Sequence, residues 1–462
     1  MATIVPAAVA TTVAGAAAVG ADPAGARVIG VAGDGPVPGD APVTPVGEIA
    51  VTTLPSGRRV VTDRMPGAAS ATVVALVGVG GRDEPAPLAG VSHFLEHLLC
   101  KGSDDWPAAA VAEAVDERGG DLDAVTDRER TAVQVRVPAT EAGFALDLLD
   151  ALVLRPAVRA DEVDLERRVI LEELAQAEED PEDRAHTLAA QALYGAHPLA
   201  REVIGDRRTL AAMGPAEISG FHAARYEPGA MVVAAAGGVD HDEVVDAVRR
   251  WDAAGTPAAP DPLLRVDRTP PDPRPGTTQV LRRPGEQAHV VVGWPVGAVA
   301  EADRPALGVV AHILGGGPAS RLFRAVRDER GLAYAVDASL ALHVDAGALT
   351  AYAACSPGAV AEVRDLLVAE VDRLATDGPT AREVAVATGY LSGASTLALE
   401  DSATRAWRVA VEELERGGAR PSAERVAVYR EVTVEAARAA ATVLRAEPST
   451  AVVGPVSRRL RL

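Results

Sequence analysis

Five consecutive residues, His93-Phe94-Leu95-Glu96-His97, carry the clearest chemistry in this 462-residue chain. Val91, Phe94, Leu95, Leu98 and Leu99 form an apolar stripe at helical spacing, so the run is expected on a helix. His93 and His97 then stack on one face, one turn apart. Two imidazoles so placed can both reach one metal ion at the roughly 2.0–2.1 Å that zinc–nitrogen bonds require. Glu96 lies on the same turn, where a carboxylate can take the proton of a water acidified by the metal. The pattern HxxEH is the inverse of HExxH. The plain alternative is a structural helix whose histidines pair with neighbouring acids.

Two histidines do not complete a catalytic zinc site; a third protein ligand is needed, with one position left for water. The stretch LERRVILEEL, residues 165–174, reads as a helix with several acids. Glu166 and Glu173 are seven apart and share a face, so one can meet the metal while the other supports it from behind. Spacing alone leaves Glu166, Glu172 and Glu173 open. A solvated acidic face is the ordinary explanation for such a run.

These helices need a scaffold, and the chain supplies one in two copies. Glu48–Leu54 and Arg59–Asp63 flank Pro55-Ser56-Gly57, a hairpin signal. Ala71–Val79 reads as a strand. Thr131–Val137 alternates Val133, Val135 and Val137 against Ala132, Gln134 and Arg136, the pattern of a half-buried strand. Pro107–Arg118 and Glu141–Leu154 read as helices. Residues 256–277 are proline-dense and read as an inter-domain linker. On either side of it a motif recurs: ATVVALVGVG, an acidic loop and GVSHFLEHLL, then HVVVGWPVGA, an acidic loop (Glu301, Asp303) and GVVAHILGGG. Setting Gly90 over Gly308 puts His93 over Ala311, Glu96 over Leu314 and His97 over Gly315. The second copy keeps the layout and lacks the ligands.

Composition narrows the function classes. Lys+Arg 45 against Asp+Glu 65 gives −20, with pI near 4.9, which argues against nucleic acid as the main partner. Hydrophobic content of 48% excludes wholesale disorder, and with aromatics at 3% the packing falls to Ala, Val and Leu. The one lysine is Lys101; the other basic residues are arginine, a bias of composition. Cys100 and Cys355 supply neither a disulfide framework nor a thiolate zinc site, and Cys100 is expected to be a small core residue. A reducing, cytoplasmic setting is expected. Residues 1–45 read as a disordered Ala/Gly/Pro-rich tail; a degenerate signal or a partner-binding arm is the alternative. The first basic residue is Arg27, so the positive start of a secretory signal is missing. No window reaches a membrane span, so a soluble protein is expected.

Taken together, these motifs resemble the M16 metallopeptidases, the family of pitrilysin, insulin-degrading enzyme and mitochondrial processing peptidase. The resemblance covers roughly residues 46–460. Its carriers are GVSHFLEHLLCKGS, GGDLDAVTDRERT, LERRVILEEL, HPLAREVIG and Tyr226–Pro228 in the first half. In the second they are SRLFRAVRDERGLAYAV and LEDSATRAWRVA. The chain length resembles the short bacterial, processing-peptidase-like subfamily. The fold it implies is α+β: two homologous α/β-roll domains, each an antiparallel sheet packed with helices, of the LuxS/MPP-like metallopeptidase kind. The expected division is a zinc-binding domain over 46–255 and a second M16-like domain over 278–462.

The resemblance also assigns roles. His93 and His97 match the family's zinc ligands and Glu96 its general base. Glu173 matches the third ligand and Glu166 a supporting acid, for one zinc ion per chain. Arg327 and Tyr334 match a pair that contacts substrate and the reaction oxyanion; judged as residues alone, they would be a surface arginine and a half-buried core aromatic. The family pairs two chains into a clam-shell, so a homodimer, or a heterodimer with an M16-like paralogue, is expected. One departure stands out. The family's GGxxNAxT, the edge strand on which substrate adds, is GGDLDAVT here. Asp123 takes the Asn position, followed by Ala124. That carboxylate either favours basic substrates or is a silent change on a solvated edge. The expected function is a zinc endopeptidase of peptides or unfolded segments, serving either general peptide turnover or dedicated leader-peptide maturation, with a non-catalytic or partner-dependent subunit as the rival. His289 and His312 are expected to be structural.

Overall fold

A computed structural model describes residues 48–253 and 268–460. The expected tail and most of the expected linker lie outside the described residues. The first half runs β1 (Glu48–Thr53), β2 (Arg59–Arg64), β3 (Ser70–Val77), α1 (Val91–Leu99), α2 (Ala108–Glu117), β4 (Asp121–Thr126), β5 (Thr131–Pro138), α3 (Ala142–Leu149), α4 (Ala160–Glu179), α5 (Pro181–Tyr194), α6 (Arg207–Ala212), α7 (Pro215–Arg225), β6 (Met231–Gly237) and α8 (His241–Ala253). The second runs β7 (Thr278–Arg282), β8 (Ala288–Pro295), α9 (Arg304–Gly315), β9 (Ala333–Leu342), β10 (Gly347–Cys355), α10 (Val360–Asp377), α11 (Ala381–Ala398), α12 (Ser402–Arg416), α13 (Ser422–Arg430), α14 (Val434–Ala441) and β11 (Ser449–Gly454).

The two sheets share one topology. The first is ordered β1-β2-β6-β3-β5-β4, the second β7-β11-β8-β10-β9. In each, one parallel pair (β2 with β6, β7 with β11) adjoins a run of three antiparallel pairings, and the first sheet adds the antiparallel pair β1 with β2. Dropping the β1 hairpin strand makes the orders identical, with β4 and β9 as matching free edges. The fold is thus α+β, two sheets packed with helices. Among the described residues no helix is long and apolar enough to cross a membrane.

Strand alternation explains how each sheet is covered. Val73, Ala75 and Val77 of β3 face a cluster with Phe94, Leu95 and Leu98 of α1. Val74 and Leu76 face the other way, onto Ala406, Val409 and Ala410 of α12, a helix from the second half. Reciprocally, Ala185 and Ala189 of α5 pack on Val291, Ala451 and Val453 of the second sheet. The halves therefore exchange equivalent helices, and small side chains at both seams allow close approach. This is why Ala132 is buried on the face expected to be solvated, while Arg136 on that face stays exposed. At the α12 seam Arg405 donates to both carboxylate oxygens of Asp63, at 2.8 and 2.5 Å, with both side chains buried.

Candidate metal centre

α1 carries the HxxEH run, and its start is fixed by backbone contact. Gly90 has φ +94° and Gly205 φ +86°, both in the left-handed region. A Cβ on Gly90 would sit 2.5 Å from the Ile204 carbonyl oxygen, and one on Gly205 2.5 Å from that of Ala89. The helix has no side-chain cap of its own. Glu84 substitutes, its carboxylate accepting from the N–H groups of Gly90 (2.7 Å) and Ser92 (2.8 Å). Burial pushes the Glu84 carboxyl up to about 7, against the pull of those two bonds.

The expected stripe is buried: Val91, Phe94, Leu95, Leu98 and Leu99 lie in the core. That turns His93 and His97 to the opposite face, with ring centroids 4.8 Å apart. α4 lies alongside. Its buried face is Val163, Glu166, Ile170 and Leu174, so Glu166 occupies a core position, while Glu172 points to solvent. Glu173 Oε2 is 3.4 Å from His97 Nε2 and 3.9 Å from His93 Nε2. Zinc bonds of about 2.0–2.2 Å in a tetrahedron place ligand atoms about 3.3–3.6 Å apart. The His97–Glu173 pair has that spacing, and the His93–Glu173 gap is a few tenths of an ångström wider. Glu166 Oε2 accepts at 2.9 Å from His97 Nδ1, and its other oxygen meets Lys101 Nζ at 2.8 Å. That bond directs His97 Nε2 toward Glu173.

The ligand atoms of His93, Glu96 and His97 lie within 4.8 Å of one another. Glu96 Oε2 is buried without a hydrogen-bond partner. Burial lifts the Glu96 carboxyl to about 7; Thr126 and His97 draw it down, Asp123 and Glu173 push it up. Burial and the neighbouring His97 lower the proton affinity of His93. For His97 burial acts in the same sense, but the bonds to Glu166 and Glu173 outweigh it and raise the imidazole to about 9. A bare buried carboxylate oxygen beside two histidines and a third acid fits a divalent ion and an attacking water. Burial also pushes the Cys100 thiol up to about 12, which keeps it unreactive.

Asp123 and Ala124 lie on β4, the free edge of the first sheet. Thr126, further along the same strand, donates to the Ser92 carbonyl at 3.5 Å, which ties the edge to α1. Arg327 and Tyr334 belong to the second sheet's side. The Arg327 guanidinium stacks on the rings of Phe323 (4.6 Å) and Tyr334 (4.4 Å) and donates to the Tyr334 carbonyl. Tyr334 is 75% exposed rather than half-buried, because it opens the edge strand β9. Among the described residues no hydrogen bond or ion pair joins this pair to the α1–α4 cluster. His289 bonds the Tyr352 hydroxyl at 2.9 Å and His312 stacks on Tyr390, both away from the cluster.

Two contributors escaped the sequence reading. Lys101, set aside there as compositional, is the counter-ion of Glu166; its standing as the lone lysine was the available signal. Glu84 sits in a loop read only as acidic, and its spacing from Gly90 gave no hint of a cap. In the second half Ala311, Leu314 and Gly315 stand where the ligands would. At Gly315 even a Cβ would fall 2.0 Å from the Ala338 nitrogen. α9 is sunk against β9, leaving no room for a ligand side chain at that position.

Comparison with known proteins places the chain. The insulinase (peptidase family M16) model matches residues 59–207. The model described as peptidase M16 inactive domain matches residues 213–388. An uncharacterized zinc protease of Mycobacterium tuberculosis is 41% identical over 430 residues, covering 91% of this chain and 96% of that protein. One of Streptomyces coelicolor is 38% identical over 420 residues, covering 89% and 90%. The chain belongs to the M16 peptidase family. In fold it is similar to a protease from Helicobacter pylori (TM-score 0.82, 20% identity, 89% of this chain and 100% of that one). It is also similar to a peptidase M16 inactive domain from Pseudomonas fluorescens (TM-score 0.80, 20% identity, 90% and 100%).

Proposed function

We propose that the chain is a zinc-dependent endopeptidase acting on peptides or unfolded polypeptide segments. The observation that carries this reading is the unpartnered Glu96 oxygen beside His93, His97 and Glu173, whose ligand atoms converge to 3.4–3.9 Å. His93, His97 and Glu173 would hold the ion. When bound, zinc lowers the pKa of a water toward about 7 and polarises the scissile carbonyl. Glu96 takes the proton from the attacking water and returns it to the leaving amine. A carboxylate whose proton affinity burial has raised is suited to this shuttle. Glu166 holds His97 in one tautomer. The Arg327 guanidinium and the Tyr334 hydroxyl donate to the oxygen that gains negative charge.

The exposure of Tyr334, and the absence among the described residues of any hydrogen bond or ion pair from this pair to the α1–α4 cluster, favour one further statement. Arg327 and Tyr334 serve the site of a second chain, so the working unit is a dimer, either of this chain or with an M16-like paralogue. The names of the relatives, zinc proteases, support the general reading. The test is hydrolysis of a quenched-fluorescent peptide library by the purified chain, against Glu96→Gln. Wild-type cleavage lost in the variant, with zinc still bound, is the expected result. Equal turnover by both would refute the role of Glu96. No turnover by either would favour a non-catalytic or partner-dependent subunit.

A further inference from the structure

The acidic edge of the first sheet leads beyond that reading while resting on it. β4 pairs with β5 on one side, and among the described residues no strand covers its other side. Its unpaired backbone groups can accept an extended chain as an added strand. Leu122 and Ala124 pack against the core beneath α1, which keeps the edge in register with the HxxEH helix.

Asp123 is the unusual residue on this edge. Its cross-strand neighbour on β5 is the neutral Gln134. By contrast Asp121 stands opposite Arg136, which in turn pairs with Asp401 at 3.2 Å. Among the described residues no cation forms an ion pair with Asp123. Burial lifts its carboxyl above the ordinary range; the Ala124 N–H works against this, and Asp121 adds to it. It is a half-buried anion without compensation, an arrangement that costs free energy unless something else supplies a positive charge. A bound divalent ion does not remove the imbalance. Asp123 lies within electrostatic reach of Glu96 and so adds to the negative charge of Glu96, Glu166 and Glu173, of which Glu166 is paired with Lys101.

We propose that Asp123 selects substrates carrying lysine or arginine at the position that faces it when an extended peptide adds to the open edge of β4. On an added strand the facing residue has its Cβ about 4.5–5.5 Å from that of Asp123. A lysine or arginine side chain spans that gap; a glutamate there meets like charge. At its start β4 borders an open cavity of about 420 Å³ whose lining includes Gly119, Gly120, Asp121, Arg136 and Glu400. The net charge of −20 draws basic peptides toward the same edge.

The experiment walks a single lysine, and separately norleucine, through an otherwise neutral peptide. It measures kcat/KM for wild type, Asp123→Asn and Asp123→Lys. One lysine position should stand out in the wild type. The lysine-over-norleucine ratio there should fall about two- to fivefold in Asp123→Asn and invert in Asp123→Lys, whatever happens to the absolute rates. Added salt should shrink the wild-type ratio. A ratio unchanged by both substitutions overturns the proposal and leaves the endopeptidase reading standing. If no peptide is hydrolysed, that reading fails instead. The same ratio, read as peptide binding to Glu96→Gln by fluorescence anisotropy, then decides the role of Asp123.

Discussion

Glu166→Gln isolates the residue that aims His97. In the wild type the Glu166 carboxylate accepts from His97 Nδ1 at 2.9 Å and balances Lys101 at 2.8 Å, with its own side chain only 4% exposed. Glutamine keeps the shape and an acceptor oxygen but removes the charge, so the imidazole becomes a poorer electron donor. Loss of such a supporting contact costs about 10–100-fold in metal affinity, or about 1.4–2.7 kcal/mol. A second effect has the opposite sign. Without metal, Glu166 helps to hold a proton on His97 up to about pH 9. That proton must leave before Nε2 can coordinate. Removing Glu166 weakens this competition, so the variant recovers part of its loss at neutral pH. The deficit should therefore be smallest near pH 6–7 and grow toward its full size as pH rises through about 9, where His97 loses its proton. Zinc Kd values from chelator competition across this range test the argument, with exposed Glu172→Gln as the control. A Kd within twofold of wild type at pH 9 would refute it. So would a deficit that shrinks as pH rises.

Zinc binding near pH 7 should release about one proton from His97, falling toward none above pH 9; calorimetry in buffers of different ionisation enthalpy measures it. In the metal-free protein the same raised proton affinity stabilises the fold fully below pH 6.5 and is lost as pH climbs through about 9, so denaturant midpoints should decline over that window. Asp63→Ala strands the buried Arg405 guanidinium at the α12 seam and should cost about 3–5 kcal/mol in urea unfolding; a loss under 1 kcal/mol would mean that the seam tolerates the free charge. If Tyr334 serves the facing chain of a homodimer, equal mixing of the inactive Glu96→Gln and Tyr334→Phe chains should restore about a quarter of wild-type turnover after subunit exchange. If both residues serve their own chain, the mixture stays inactive.

The sequence revealed the candidate metal helix because three requirements coincide there. The histidines must be four apart, the apolar stripe must lie opposite them, and a glycine must open the turn. Each leaves a mark within a single helix. The proposed third ligand was less legible, since Glu166, Glu172 and Glu173 all suit a solvated acidic run. The mark was present in the burial pattern. Val163, Glu166, Ile170 and Leu174 follow one helical stripe, so Glu166 is an acid on a core face, and Glu173 borders that stripe while Glu172 does not. Lys101 and Glu84 were illegible for another reason. Their partners, Glu166 and the Gly90–Ser92 backbone, meet them only through tertiary contact.

The exchange of α5 and α12 was legible in neither helix, because a small-residue face does not state which sheet it covers. Ala185 and Ala189 would pack as well on their own sheet as on the other. The topology settles the matter. Each exchanged helix follows the long helix beside its own half's first helix, α4 beside α1 and α11 beside α9, and then crosses to the opposite sheet. The crossing binds the halves through buried contacts such as Arg405 with Asp63. It also explains how the second half can lack the His-Glu-His set and keep the same shape. Gly315 seats α9 against β9 where His97 would have needed space, while the sheet order that supports both helices is unchanged. Scaffold and chemistry are separable here because the sheet and the exchanged helix carry the core, and the ligand positions lie on the helix face turned away from it.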